Sequence, residues 1–327
     1  MWICKISRRR AITIFAAAGG GLAVGRATPQ AAPSYVWTGV AMGADAQILF
    51  SGCTEQTARR VVPLINSEIE RLERALSLFR DDSEICRLNR KGALDAPSAD
   101  LRRALALALD TAAASGGLYD PTVQALWETH VDWFSANPDA GLPPEPMVAA
   151  ARAAVDWRRI ALFSDAIRLG ERQRITLNGL GQGYVTDRVA DLLHERGFQH
   201  VLVDLGEQRA LGPRENGTPW SIGRANGTPI ALADGALATS EGSGCILGAG
   251  GAAHHLFDPR TGRSASHWRR IIVAHRSAAV ADALSTTLYV ASPQEIGALL
   301  THFSGLTVWA TDDSGRERRF DAPAAPG

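Results

Sequence analysis

Between Glu55 and Phe79 the apolar residues Ala58, Val61, Ile65, Ile69, Leu72, Leu76 and Phe79 recur at intervals of three and four. That spacing predicts an amphipathic helix with one buried stripe. A second helix is predicted after Ser98, a ready N-cap, with Leu101, Leu105, Ala108, Leu109 and Ala112 on one face and Gly116-Gly117 as its end. Ala44 to Ser51 reads as a first strand, and Pro138 to Pro146 as a loop between helical stretches. After Trp157 the texture changes to short apolar runs. Strands are predicted at Arg159–Phe163, Ile167–Leu169, Ile175–Leu177, Val201–Leu205, Trp220–Gly223, Ala236–Thr239 and Ile271–His275. Helices are predicted at Val185–Arg196, closed by Gly197, and at Ala279–Ala291 and Pro293–Phe303. Helices come first and strands later, with little regular alternation. This predicts an α+β fold, with N-terminal helices packed on a mixed or antiparallel sheet, rather than a doubly wound parallel one.

Composition adds few limits. The chain has 327 residues, 46% hydrophobic and 21% charged, enough for a core that needs no disulfide staples. The formal charge is zero, so nothing points to nucleic acid or an anionic membrane. The N-terminus is different. Ser7-Arg8-Arg9-Arg10 precedes an apolar Gly/Ala-rich stretch from Ala11 to Val24, with small residues near Ala27 and Ala31-Ala32. Residues 1–32 therefore read as a twin-arginine export signal, and 33–327 as one domain working in the periplasm. An uncleaved N-terminal anchor is the competing reading. Cleavage near Ala32 leaves 29 basic against 34 acidic residues, a charge of about −5. Cys53, Cys86 and Cys245 then remain, an odd number without paired spacing, which argues against a disulfide framework or a zinc site. The ends Ala27–Pro33 and Ala322–Gly327 read as disordered.

Three segments carry candidate chemistry. In Ala281-Asp282-Ala283-Leu284-Ser285-Thr286-Thr287, a helical conformation puts Asp282 and Thr286 on one face. A carboxylate beside a hydroxyl is a hard oxygen pair suited to Mg²⁺. Taken alone, it reads more readily as a capping Asp and an incidental Thr on an exposed helix. In Asn178-Gly179-Leu180-Gly181-Gln182-Gly183-Tyr184, between a strand and a helix, glycines admit close approach of a ligand and the helix N-terminus offers N–H groups to phosphate. The spacing is neither that of a dinucleotide fingerprint nor that of a P-loop. His254-His255-Leu256-Phe257-Asp258-Pro259-Arg260-Thr261-Gly262 is a turn beside two histidines, one of which could act as a general base.

In this order and at these distances the three segments resemble the ApbE family, the FAD:protein FMN transferases. The resemblance runs from about residue 36 to 310. It implies an enzyme that splits FAD with Mg²⁺, attaches FMN to a Thr or Ser hydroxyl of another protein and releases AMP. It implies Asp282, Thr286 and the Gly181 carbonyl as magnesium ligands and His255 as the catalytic base. It further implies FAD contacts at Gly179, Gly183 and Asp187, at Met42 of an M-G segment, and at Phe79 where relatives have a stacking Tyr. Leu118, Tyr119 and Asp120 of a G-L-Y-D-P-T segment, Thr239 of an A-T-S segment, and Asp258 complete the set. Acceptors of the family carry a pattern like [D/E]-x-x-x-[S/T]-G-A-[S/T], of which this chain has no convincing copy, so the acceptor is expected to be a separate, membrane-associated redox protein.

The chain departs from the family at Gln182, where Lys is usual, and at Val203-Asp204-Leu205-Gly206-Glu207, where many relatives have G-G-D. The L-G-E-x-R-A-L-G variant, with the export signal and the Gln, is similar to the periplasmic branch that includes NosX-type proteins. Two further readings stay open from sequence. Water could replace the acceptor, making an FAD pyrophosphatase that yields FMN and AMP, or the chain could carry FAD in the periplasm without catalysis.

Overall fold

The structure, a computed structural model, describes residues 33–224, 228–248 and 251–322. The export signal predicted over 1–32 and the tail from 323 lie outside the described residues.

The centre of the fold is an eight-stranded sheet in which every neighbouring pair runs antiparallel. Its strands are β1 (Tyr35–Ala41), β2 (Ala44–Phe50), β6 (Val201–Asp204), β7 (Gln208–Leu211), β10 (Gly235–Glu241), β15 (Arg270–His275), β16 (Thr307–Thr311) and β17 (Glu317–Asp321), in that spatial order. Four helices cover one face: α1 (Glu55–Leu76), α6 (Gly181–Glu195), α7 (Ala278–Val290) and α8 (Pro293–Leu299). The alternation of the strands explains the layering. Ile48, Phe50, Val201 and Val203 point into a core with the α1 stripe and with Val185, Val189 and Leu193 of α6. Ala238, Ile271, Val273 and Val308 point into a second core with Leu284 and Leu288 of α7 and Ile296 of α8. Each fully buried Ile, Leu or Val of these layers contributes about 1.5–3 kcal/mol.

The opposite face is only partly covered. A hairpin of β8 (Trp220–Ile222) and β9 (Ile230–Leu232) packs Trp220, Ile222 and Leu232 on Leu202, Ala210, Leu237 and Ile272. The remaining helices are α2 (Glu84–Lys91), α3 (Ala99–Ala114), α4 (Gln124–Ala136) and α5 (Glu145–Arg152). Helices α2 and α3 pack on α1, α4 packs on α5, and a small sheet is formed by β3 (Ala93–Asp95), β4 (Ala161–Leu162) and β5 (Ala166–Arg168).

The α+β reading holds, and the expected helices appear within a few residues of their predicted bounds. The strand expected at Ile175–Leu177 does not form. There the Asn89 side chain does what a neighbouring strand would: its Oδ1 accepts the Ile175 N–H at 2.8 Å, and its Nδ2 donates to the Ile175 carbonyl at 2.8 Å. Helix α2, capped by Ser83 and closed by Gly92, was not foreseen, nor were β1, β7, β16 and β17. Strands thus also precede the helices, as β1 and β2.

Candidate active site

Helices α6 and α7 bring the two halves of the site together. A Cβ at Gly183 would lie 2.3 Å from the Ala278 carbonyl oxygen and 2.8 Å from the Asp282 Cβ, so only glycine lets the helix starts approach this closely. The Gly183 N–H then donates to Asp282 Oδ2 at 2.9 Å. Asp282 is buried, and no arginine or lysine among the described residues forms a salt bridge with it. Burial pushes its carboxyl up from the usual 3.8 to about 7. Thr286 lies one helical turn on, its Oγ1 3.4 Å from the Ser240 hydroxyl. Both line a cavity of about 840 Å³ that also reaches residues on the partly covered face of the sheet.

The same cavity is lined by Leu118, Tyr119, Asp120, Gly179, Thr239 and His255. Tyr119 is buried, and desolvation with the nearby Asp282 and Asp120 holds its phenol well above the usual range. Asp120 builds the turn that presents it: Oδ1 accepts from the Thr122 N–H at 2.8 Å and hydroxyl at 2.6 Å, and Oδ2 accepts the Trp157 N–H at 3.0 Å. His255 sits after the β11 (Ile246–Leu247) and β12 (Ala253–His254) ribbon. Its Nδ1 is 3.4 Å from the Cys245 carbonyl, which can only accept. A proton on Nδ1 would satisfy that carbonyl and leave Nε2 with its lone pair. Desolvation, with a smaller push from His254, lowers the imidazole from 6.5 to about 4, so it is a free base at neutral pH. His254 is occupied structurally, with Nε2 2.8 Å from the Ala265 carbonyl and its ring edge-on to Tyr289.

Six predicted residues lie outside the cavity wall. Gly181 opens α6, and a Cβ there would be 3.4 Å from the Met42 Cε. The glycine beside Thr286 is instead Gly179, where a Cβ would be 3.2 Å from Oγ1. Gly181 has already entered the helix, and Gly179 is the glycine of this segment that lines the cavity beside Thr286. Gly183 is spent on the Asp282 contact. Met42 turns the β1–β2 hairpin at φ +51°, its N–H donating to Glu73, and Phe79 lies against Gly43 of the same hairpin. Asp258 holds the D-P-R-T-G turn by accepting the Arg260 N–H at 2.8 Å and its guanidinium at 2.8 Å.

Asp187 departs most from its expected role. It caps α7, accepting N–H groups of Ala278 (2.9 Å) and Ala279 (3.0 Å) and the Ser277 hydroxyl (2.6 Å), and it pairs with Arg209 at 2.7 Å. An acid at a helix N-terminus is favoured by the aligned N–H groups. Asp187→Ala removes these bonds and leaves Arg209 without its closest acid. It is expected to lower stability by about 2–4 kcal/mol while changing FAD affinity less than threefold, measured by urea unfolding and flavin titration.

Glu207 and Gln182, marked by the sequence only as departures, both line the cavity. Glu207 Oε2 accepts the Thr239 N–H at 3.0 Å, and its carboxyl is held well above the usual range by burial and by the Asp282 charge. Gly206, at φ +106°, leaves room for the Gln182 amide, which a Cβ would meet at 2.5 Å.

A buried carboxylate with no cation of its own, a hydroxyl one turn away and an adjacent glycine backbone form an all-oxygen donor set that fits Mg²⁺. Among the described residues no cluster of three or more His, Cys, Asp or Glu is placed to hold a metal.

Known proteins match over most of the chain. The FAD:protein FMN transferase of Klebsiella pneumoniae is 25% identical over 295 residues, 82% of this chain and 83% of that protein. The FAD:protein FMN transferase of Vibrio cholerae is 26% identical over 272 residues, covering 77% and 80%. The crystallised ApbE protein of Thermotoga maritima superposes with a TM-score of 0.76 at 21% identity, covering 87% of this chain and 96% of that one. The flavin transferase ApbE of Vibrio cholerae does so with a TM-score of 0.73 at 22% identity, covering 88% and 96%. These likenesses establish the shared fold. The sequence pattern that defines the ApbE family matches residues 42–309, and the chain belongs to that family.

Proposed function

We propose that this protein transfers FMN from FAD to a Thr or Ser hydroxyl of another protein and releases AMP, with Mg²⁺ held by Asp282, Thr286 and the Gly179 carbonyl. One observation carries the reading: a single cavity presents an imidazole with a free Nε2, a buried carboxylate–hydroxyl pair and a glycine backbone beside that pair. Bound Mg²⁺ supplies charge neutralisation at the FAD pyrophosphate.

The chain's own residues do the rest. His255 Nε2 accepts the proton of the acceptor hydroxyl, whose oxygen attacks the FMN phosphorus. The phosphorus–oxygen bond to AMP breaks as the new phosphoester forms, and AMP departs with the electron pair. The Cys245 carbonyl, 3.4 Å from Nδ1, favours the tautomer that makes Nε2 the base. Tyr119 and Leu118, both largely buried, give the cavity an apolar stretch of wall. The reading includes export by the twin-arginine route, so that the acceptor is met in the periplasm. Among the described residues no helix is long and apolar enough to cross a membrane.

The test is incubation with FAD, Mg²⁺ and a fragment carrying the family's acceptor pattern, followed by denaturing electrophoresis. A flavin-fluorescent acceptor band is the expected result. AMP release without such a band, at any acceptor concentration, would make water the nucleophile and sink the reading.

A further inference from the structure

The cavity extends well past the residues used above, onto the partly covered face of the sheet. There strand register lines up one row across four strands and into a fifth. Thr38 on β1 faces Gln47 on β2, Gln47 faces Asp204 on β6, Asp204 faces Gln208 on β7, and Gln208 faces Leu237 on β10. All five line the cavity. The next row on this face, Val36–Leu49–Leu202–Ala210, is apolar, and its inner members pack with the β8–β9 hairpin. The polar row thus begins where the hairpin's cover ends. It runs from the outer strand, β1, to β10, whose Thr239 belongs to the reaction site.

The row is organised. Asp204 Oδ2 accepts from Gln47 Nε2 and Oδ1 from Gln208 Nε2, each at 3.3 Å. Asp204 thereby fixes both amides. Each glutamine keeps its carbonyl oxygen and its second N–H, and among the described residues neither side chain makes another hydrogen bond. A primary amide with one donor and one acceptor open is the complement of a main-chain peptide unit. On the nearby wall Arg270 pairs with Glu241 at 2.6 Å and Arg224 with Glu317 at 3.0 Å, while Asp45 and Asp204 line the cavity with no salt bridge among the described residues.

We propose that this row is the floor of the trough that holds the acceptor protein, as an extended segment whose main-chain amides are read by Gln47 and Gln208. The proposal rests on the transferase reading, which requires a polypeptide to deliver a hydroxyl to His255. Strands are ~4.8 Å apart, so the row from Thr38 to Leu237 spans ~19 Å, the length of about six extended residues. A segment entering at β1 and lying across the strands reaches the reaction site at Thr239. The glutamines position the acceptor and touch no reacting atom.

The test uses Gln47→Ala and Gln208→Ala, with Thr38→Arg as a variant that narrows the exposed entrance without touching Asp204. A dye-labelled twelve-residue peptide of the family's acceptor pattern is titrated, by fluorescence anisotropy, into the full enzyme loaded with FAD and Mg²⁺. FAD affinity is measured separately by flavin fluorescence. Peptide binding should weaken tenfold or more in each variant, with FAD affinity within twofold of the parent. Unchanged peptide binding in folded variants, or no peptide binding by the parent, overturns the trough. So does a tenfold loss of FAD affinity, which would give the amides to the adenine of FAD. A parent that binds the peptide at this row but never flavinylates it leaves the trough standing and removes the transferase reading.

Discussion

Asp282→Asn should abolish flavin transfer, by 10²–10³-fold or more on the order expected when transition-state charge loses its stabiliser, and yet make the metal-free protein more heat-resistant at pH 8. Both effects come from one buried carboxylate. Its oxygen takes the Gly183 N–H and no cation, and burial raises its pKa from 3.8 to about 7. For an acid raised in this way the favourable folded form is the protonated one. Relative to the unfolded chain, stability is greatest below pH 3.8 and is lost as pH rises towards 7. At pH 8 the metal-free fold holds an uncompensated charge. Asparagine keeps an oxygen for Gly183 and removes the charge, so a Tm higher by a few degrees (~2–4 °C per kcal/mol at this size) is expected in chelator. Added Mg²⁺ should raise the Tm of the parent and leave the variant unmoved. A variant less stable than the parent at pH 8 in chelator would show that the carboxylate is held by contacts within the protein.

His255→Ala should lower the transfer rate by about 10²–10⁴-fold with little change in FAD affinity. The pH profile is the sharper signature. The imidazole is depressed to about 4, so loss of the base appears as an acid limb near pH 4 and not near 6.5. With saturating Mg²⁺, kcat/KM should stay level from pH 7 down to about 5. With limiting Mg²⁺ it should fall below pH 7, because protons compete with the metal for Asp282. A limb at 6.5 that ignores Mg²⁺ concentration would mean that His255 is solvated and in a different role.

The sequence disclosed the parts of the site that depend on short-range chemistry. Asp282 and Thr286 sit four apart on a helix whose period was legible. The D-P-R-T-G turn follows from what Pro, Asp and Gly do locally, and Asp258 indeed holds the Arg260 N–H. Features set by long-range pairing were hidden. The α6 start falls at Gly181, four residues before the apolar pattern suggested, and the glycine lining the cavity beside Thr286 is Gly179. Asp187 read as a ligand contact because nothing local reveals that the N-terminus of α7 lies against it. The row of Thr38, Gln47, Asp204 and Gln208 exists only through register between strands more than 150 residues apart in the chain. The Ile175 segment has the composition of a strand and is paired by a side chain.

The most direct test of the central claim is the ratio of products in one reaction: AMP by chromatography, and acceptor peptide bearing FMN by intact mass, with purified protein, FAD and Mg²⁺. The account predicts equal amounts of AMP and FMN-peptide, both lost in Asp282→Asn. AMP matched instead by free FMN, with the peptide unmodified, would contradict it.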